Sequence, residues 1–167
     1  EHWPNNFNWV VEDNHPAPGW ADKIAQNGWN TDTLSARVNP RTLVGALAVW
    51  ARQHANIDVC EGGEACALPE SSPTILAAGL GCFPLISPRE PQRVGRGVKG
   101  QGALLKPARP ADPESPIIYD NGTYVIAHAD GTIAVGSTSE NEFDNPTSTD
   151  EKLDLVIDDA KRICPPL

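Results

Sequence analysis

No methionine occurs in this sequence, at the first position or later, although Leu, Ile and Val are present in ordinary amounts. Chance accounts for that, and so does a sequence that begins inside a longer protein. Without an initial Met, a charged n-region and an apolar h-region, no secretory signal is visible; a processed mature chain would look the same. No apolar run is long enough to span a bilayer. Cys60, Cys66, Cys82 and Cys164 form no CxxC pair, and His2, His15, His54 and His128 are scattered, so no metal set is assigned. A basic excess is also missing. Lys and Arg number 13 against 22 Asp and Glu, a net charge of −9. That argues against a nucleic-acid partner, whose affinity would rest on counterion release.

What is present suits one domain, or one domain with an appendage, because 167 residues can bury a core without cross-links. An even cysteine count permits two disulfides. The preferred reading is four free, mostly buried thiols in a reducing, cytoplasmic compartment. Asn121-Gly122-Thr123 is formally a glycosylation sequon, but Asp120-Asn121-Gly122 is also turn chemistry, and the turn is preferred.

Residues 1–36 hold Trp3, Trp9, Trp20 and Trp29 among Pro, Asn and Gly, and read as irregular with one short helix near Ala21 to Gln26. Asn39-Pro40 is an N-cap followed by a first-turn proline. Leu43, Leu47, Trp50, Ala51 and His54 then recur at helical spacing, which predicts a helix from Pro40 to about His54. His54 ends that stripe as a packing or capping residue. Asn56–Cys60 reads as a short strand, residues 61–72 as loop, and Thr74–Ala78 as a buried strand ending in small residues. Residues 88–98 are loop-like. Strands follow at "GQGALLKPA" and "PIIYD", and then a hairpin spans 122–140, with Asp130-Gly131 supplying left-handed turn geometry. Ser148 and Glu151 form a capping box, with Asp150 adding charge at the helix start. Leu153, Val156, Ile157 and Ala160 make the apolar stripe, and Pro165-Pro166 stops the helix. The class is α/β or α+β with a mixed sheet.

Gly95-Arg96-Gly97-Val98-Lys99-Gly100 matches G-x-G-x-x-G by letter, but neither a preceding strand nor a following helix frames it, so it is read as accidental. Arg89, Arg93, Arg96 and Lys99 make a basic run without interleaved aromatics, read as a solvated loop. No Ser/His/Asp or Cys/His signature assigns a catalytic residue.

Taken in order, "ARVNPRTLVGALAVWARQHANI", "TILAAGLGC", "VKGQGALL" and "GTYVIAHADGTIAVGSTSENEFDNPT" with a capped helix after it resemble the D-amino-acid oxidase family of flavoproteins. Within it, the likeness is to the glycine-oxidase and sarcosine-oxidase branches, from about Ala36 to Leu167. The resemblance implies an FAD-binding Rossmann-like domain interleaved with a substrate domain on a mixed sheet. Residues 37–87 would be part of the former and 88–167 the substrate-domain sheet with its helix. Ala78 and Gly79 match the end of a strand beside the flavin, where small residues admit close backbone approach. Tyr124 matches a Tyr near the substrate carboxylate, where a phenol donates without adding a second fixed charge. Ser139 matches a pocket-lining position. The bland alternative for Tyr124 is a sheet residue with its hydroxyl in water.

There are departures from the family pattern. Ala127-His128 stands where many members have Pro-Arg. The amino-terminal pyrophosphate fingerprint and the carboxy-terminal Gly-x-Arg-Pro segment do not occur. The chain therefore reads as the middle of an FAD-dependent enzyme that oxidises a small amine or amino acid, or as such an enzyme with pieces omitted. Two other classes stay open: a non-catalytic binding domain retaining the family's sheet, and a secreted disulfide-bearing module. No oligomeric state is assigned.

Overall fold

The computed structural model of the protein describes residues 8–12, 19–20, 24–25, 28–90, 92, 95–165 and 167. They divide into two units: Glu1–Asn39 together with Lys99–Leu167, and Pro40–Val98. The helix expected near Ala21 to Gln26 lies largely outside the described residues.

In the first unit, β1 (Val10–Glu12) pairs antiparallel with β2 (Trp29–Thr31), Val10 opposite Thr31 and Glu12 opposite Trp29. This ribbon falls in the stretch read as irregular. Three-residue strands are too short for alternation to show in a sequence.

The second unit opens with α1 (Pro40–Gln53), bounded as the Asn39-Pro40 signal predicts. His54 packs its ring against Trp50, one turn earlier, at 4.8 Å between centroids. Two expected strands do not form here. Residues 56–60 turn and run irregularly, and Thr74–Ala78 is neither a strand nor buried: Ile75 is 95% exposed. A strand exists only by pairing its N–H and C=O groups, and no strand is described in this unit to pair with them. Instead a 3-10 turn at Gly79–Gly81 leads into α2 (Cys82–Ile86). Pro84 is tolerated there because it sits in the first helical turn.

The rest of the first unit is a sheet with a helix on one face. β3 (Gly102–Leu105), β4 (Ile118–Asp120), β5 (Thr123–Ala127) and β6 (Ile133–Gly136) stand in the order β3-β6-β5-β4, with antiparallel pairing throughout. Asn121 and Gly122 join β4 to β5 with φ of 46° and 92°, the signature of a type I′ hairpin turn. At the other hairpin only Gly131 is left-handed, at φ 81°; Asp130 is not. Gly131 N–H donates to His128 C=O at 2.9 Å, and His128 N–H donates to Thr132 C=O at 2.9 Å. The Asp130 carboxylate accepts from the Thr132 N–H and hydroxyl at 3.0 and 2.6 Å. The loop is thus longer than a two-residue turn, with glycine at its left-handed exit.

Helix α3 (Glu151–Ile163) covers the sheet. Val125, Ile133, Val135, Ala160, Ile163 and Cys164 form the buried cluster, with Leu105, Ile118 and Ile157 packed around it. The predicted Ser148 capping box does not form. Asn145 Oδ1 accepts from Thr147 and Ser148 N–H in a local turn, and Asp150 takes the cap, accepting from Lys152 N–H at 3.0 Å. α3 ends at Ile163, before Pro165. All four cysteines are free, but only Cys164 is buried; Cys60 and Cys66 are exposed, contrary to the expectation of mostly buried thiols. Among the described residues no helix is long and apolar enough to cross a membrane.

Candidate functional site

Alternation along β5 and β6 gives the sheet two unlike faces. Thr123, Val125, Ala127, Ile133 and Val135 are buried on the α3 side. The other face carries two cross-strand rows, Leu104–Ala134–Ile126 and Gly102–Gly136–Tyr124–Tyr119. Tyr124 is 46% exposed and Tyr119 60%. Their rings meet across the strands with centroids 4.5 Å apart and planes tilted by 38°, a pairing that holds each phenol in place. Beside them the surface drops to bare backbone. A Cβ on Gly102 would stand 2.9 Å from the Val135 carbonyl oxygen, and a Cβ on Gly136 would stand 3.6 Å from the Gly102 Cα.

Ser139 lies three residues beyond Gly136, the pairing partner of Tyr124, and is exposed. Its neighbours Thr138 and Glu140 turn inward. Ala78 and Gly79 belong to the other unit. Ala78 N–H donates to Cys82 Sγ at 3.2 Å, and Gly79 opens the 3-10 turn at φ 53° with open space where a Cβ would stand. The left-handed backbone, not crowding, explains glycine at 79.

Sequence reasoning missed the polar network at the end of the sheet. Lys99 and Glu140 exchange backbone hydrogen bonds of 2.9 and 2.8 Å. The Glu140 carboxylate accepts from Gln101 Nε2 at 2.8 Å, Thr138 Oγ1 at 2.7 Å and Lys152 Nζ at 2.6 Å. Lys152 first, then Gln101 and Thr138, hold its carboxyl at about 2. Gln101 also donates to Asp150 Oδ1 at 2.8 Å and accepts from Asp150 N–H at 2.9 Å, which fixes the start of α3. The only sequence trace of this cluster is the helix-start signal around Asp150.

Arg162 borders a groove below Tyr119 but is not free for a substrate carboxylate. It donates to Asp120 at 2.8 Å and lies 2.7 Å from Asp159, pairs that raise its own pKa. Among the described residues no three His, Cys, Asp or Glu side chains converge on a possible metal position.

A family model described as FAD dependent oxidoreductase matches residues 12–167. The chain belongs to this family. No curated protein and no solved structure matches it. Membership bears out the resemblance to D-amino-acid oxidases, the mixed α/β class and FAD as the family's cofactor. The open sheet face, with bare glycine backbone beside two phenols, leaves room for a planar group or a small substrate to approach closely. The Gly95–Gly100 run does not supply a pyrophosphate cradle. It opens no helix, and Lys99 within it bridges to Glu140 as extended chain.

Proposed function

We propose that the open face of the sheet is the substrate-side wall of an FAD-dependent oxidoreductase that acts on a small amine or amino acid, in the manner of glycine and sarcosine oxidases. The observation that carries this reading is Tyr124, half-exposed in a row of bare glycines and braced by Tyr119. Its O–H donates to the substrate carboxylate and adds no fixed charge. Ser139 lines the same pocket, and Ala78 and Gly79 serve the flavin side.

FAD, when bound, would supply the hydride acceptor for oxidation of the substrate α-carbon. The protein's part is position and exclusion of water; no residue here acts as a catalytic base. Residues 37–87 contribute to the FAD-binding domain and 88–167 to the substrate domain, after the segment 1–36. The family's pyrophosphate fingerprint and its Gly-x-Arg-Pro segment do not occur in this sequence, so in this reading the chain works as part of a longer enzyme. The four unpaired thiols support a reducing, cytoplasmic setting.

Two measurements test the reading. The full-length protein, purified and mixed anaerobically with glycine, sarcosine or D-alanine, should show visible flavin bands that bleach with one of them. Absence of flavin bands, or bands that no amine bleaches, overturns it. The 167-residue chain alone should bind FAD weakly or not at all, and sub-micromolar binding would refute a cradle placed elsewhere.

A further inference from the structure

A cleft of about 380 Å³ opens between the segment following β6 and the first turn of α3. One wall is the network already described, in which every polar group is used. Glu140 is saturated by Gln101, Thr138 and Lys152, and Asp150 by Gln101 and the Lys152 N–H.

Three charged groups on the cleft are not used. Lys99 is only 7% exposed, yet its ammonium has no hydrogen-bond acceptor or ion-pair partner among the described residues. The backbone bonds between Lys99 and Glu140 bring the two residues side by side, but the Glu140 carboxylate is committed to Lys152. Across the mouth stand Glu142 and Asp144, both exposed, both without a hydrogen bond or ion pair among the described residues. The Lys99 stem is buried while its ammonium opens onto the cleft with its donors free for an anionic acceptor. The two rim carboxylates are free to receive two cations. A metal does not answer this demand, because among the described residues no three His, Cys, Asp or Glu side chains converge.

We propose that this cleft is a binding site for a basic α-amino acid of the lysine or ornithine class, distinct from the open sheet face. The ligand's carboxylate accepts from the Lys99 ammonium. Its α-ammonium and side-chain ammonium reach Glu142 and Asp144. One carboxylate and two ammonium groups match the one idle cation and two idle anions of the cleft. The site adjoins Asp150 and Lys152, which set the start of α3, so occupancy braces the helix against the sheet. The proposal does not rest on the flavin reading.

Isothermal titration of the 167-residue chain with L-lysine, L-norleucine and cadaverine tests it. L-Norleucine lacks the second ammonium and cadaverine lacks the carboxylate. L-Lysine should bind with one-to-one stoichiometry and raise the melting temperature, and each analogue should bind at least tenfold more weakly. Lys99→Gln should weaken L-lysine at least tenfold, the loss expected for one hydrogen bond between charged groups. Should that variant fail to fold, Glu142→Gln with Asp144→Asn, both on the exposed rim, should reduce L-lysine affinity below that of L-norleucine for the wild type, because both ammonium contacts are lost. No heat from L-lysine, equal affinity for L-lysine and cadaverine, or undiminished L-lysine affinity in either variant overturns the proposal.

Discussion

The Lys152 ammonium stands 2.6 Å from the Glu140 carboxylate, joining the first turn of α3 to the segment beyond β6. Glu140 is buried while Lys152 is half-exposed, so the carboxylate depends on its three donors for solvation.

Stability against acid should follow from that contact. The Glu140 carboxyl is lowered from its ordinary 4.5 to about 2, so its contribution is complete above pH 4.5 and disappears as pH falls toward 2. Asp150, lowered chiefly by Gln101, changes in the same sense. Lys152 is raised, mainly by Glu140, so its share persists through neutral pH and is lost only in strong alkali. Melting curves of wild type and Glu140→Gln should therefore differ at pH 7 and converge on acidification. A constant gap down to pH 2 would show that the carboxylate is not held as described.

Burial separates two isoleucines that look alike in sequence. Ile133 lies in the core under α3, and Ile75 is 95% exposed. In denaturant unfolding of the chain, Ile133→Ala should cost about 2–5 kcal/mol, a transfer loss plus a cavity. Ile75→Ala should change stability by less than about 0.5 kcal/mol. Equal costs would mean that Thr74–Ala78 is packed after all.

The thiols should divide by exposure. Cys164 is buried, and burial pushes its thiol up to about 11, so little thiolate forms at neutral pH. Cys60 and Cys66, exposed, should react quickly with a chromogenic disulfide, and Cys164 only after unfolding. Four thiols should titrate in denaturant; none titrating would mean two disulfides and a secreted module.

What could be read from sequence divides along a physical line. Signals carried by a few adjacent residues held: Asn39-Pro40 at the start of α1, the strands at 102–105, 118–120, 123–127 and 133–136, and the Asn121-Gly122 turn. Signals that need a partner did not. Apolar Thr74–Ala78 has the composition of a buried strand, but composition does not supply a neighbouring edge. The capping box went astray because Asn145 Oδ1 accepts the Ser148 N–H that the Glu151 side chain would take, and Asp150 is the cap instead. The Gln101–Glu140–Lys152 network joins residues 39 and 12 positions apart, and no local pattern announces such a triangle. At the open face, the family's pattern singled out Tyr124; the two-residue period and the glycine row explain why that side chain stands clear.

Tyr124 carries the functional reading, and one atom tests it. Tyr124→Phe keeps the ring against Tyr119 and removes a single O–H donor from an exposed sheet face. Thermal stability should barely change. In the full-length enzyme, a hydrogen bond to a carboxylate is worth about 1.5–3 kcal/mol, so substrate affinity should fall by roughly one to two orders of magnitude. The loss should be confined to substrates that bear the carboxylate, because a simple amine offers the phenol nothing to hold. Steady-state kinetics on a carboxylate-bearing amine and its decarboxylated counterpart distinguish the cases. An unchanged KM and kcat/KM for both would return Tyr124 to the role of a sheet residue with its hydroxyl in water.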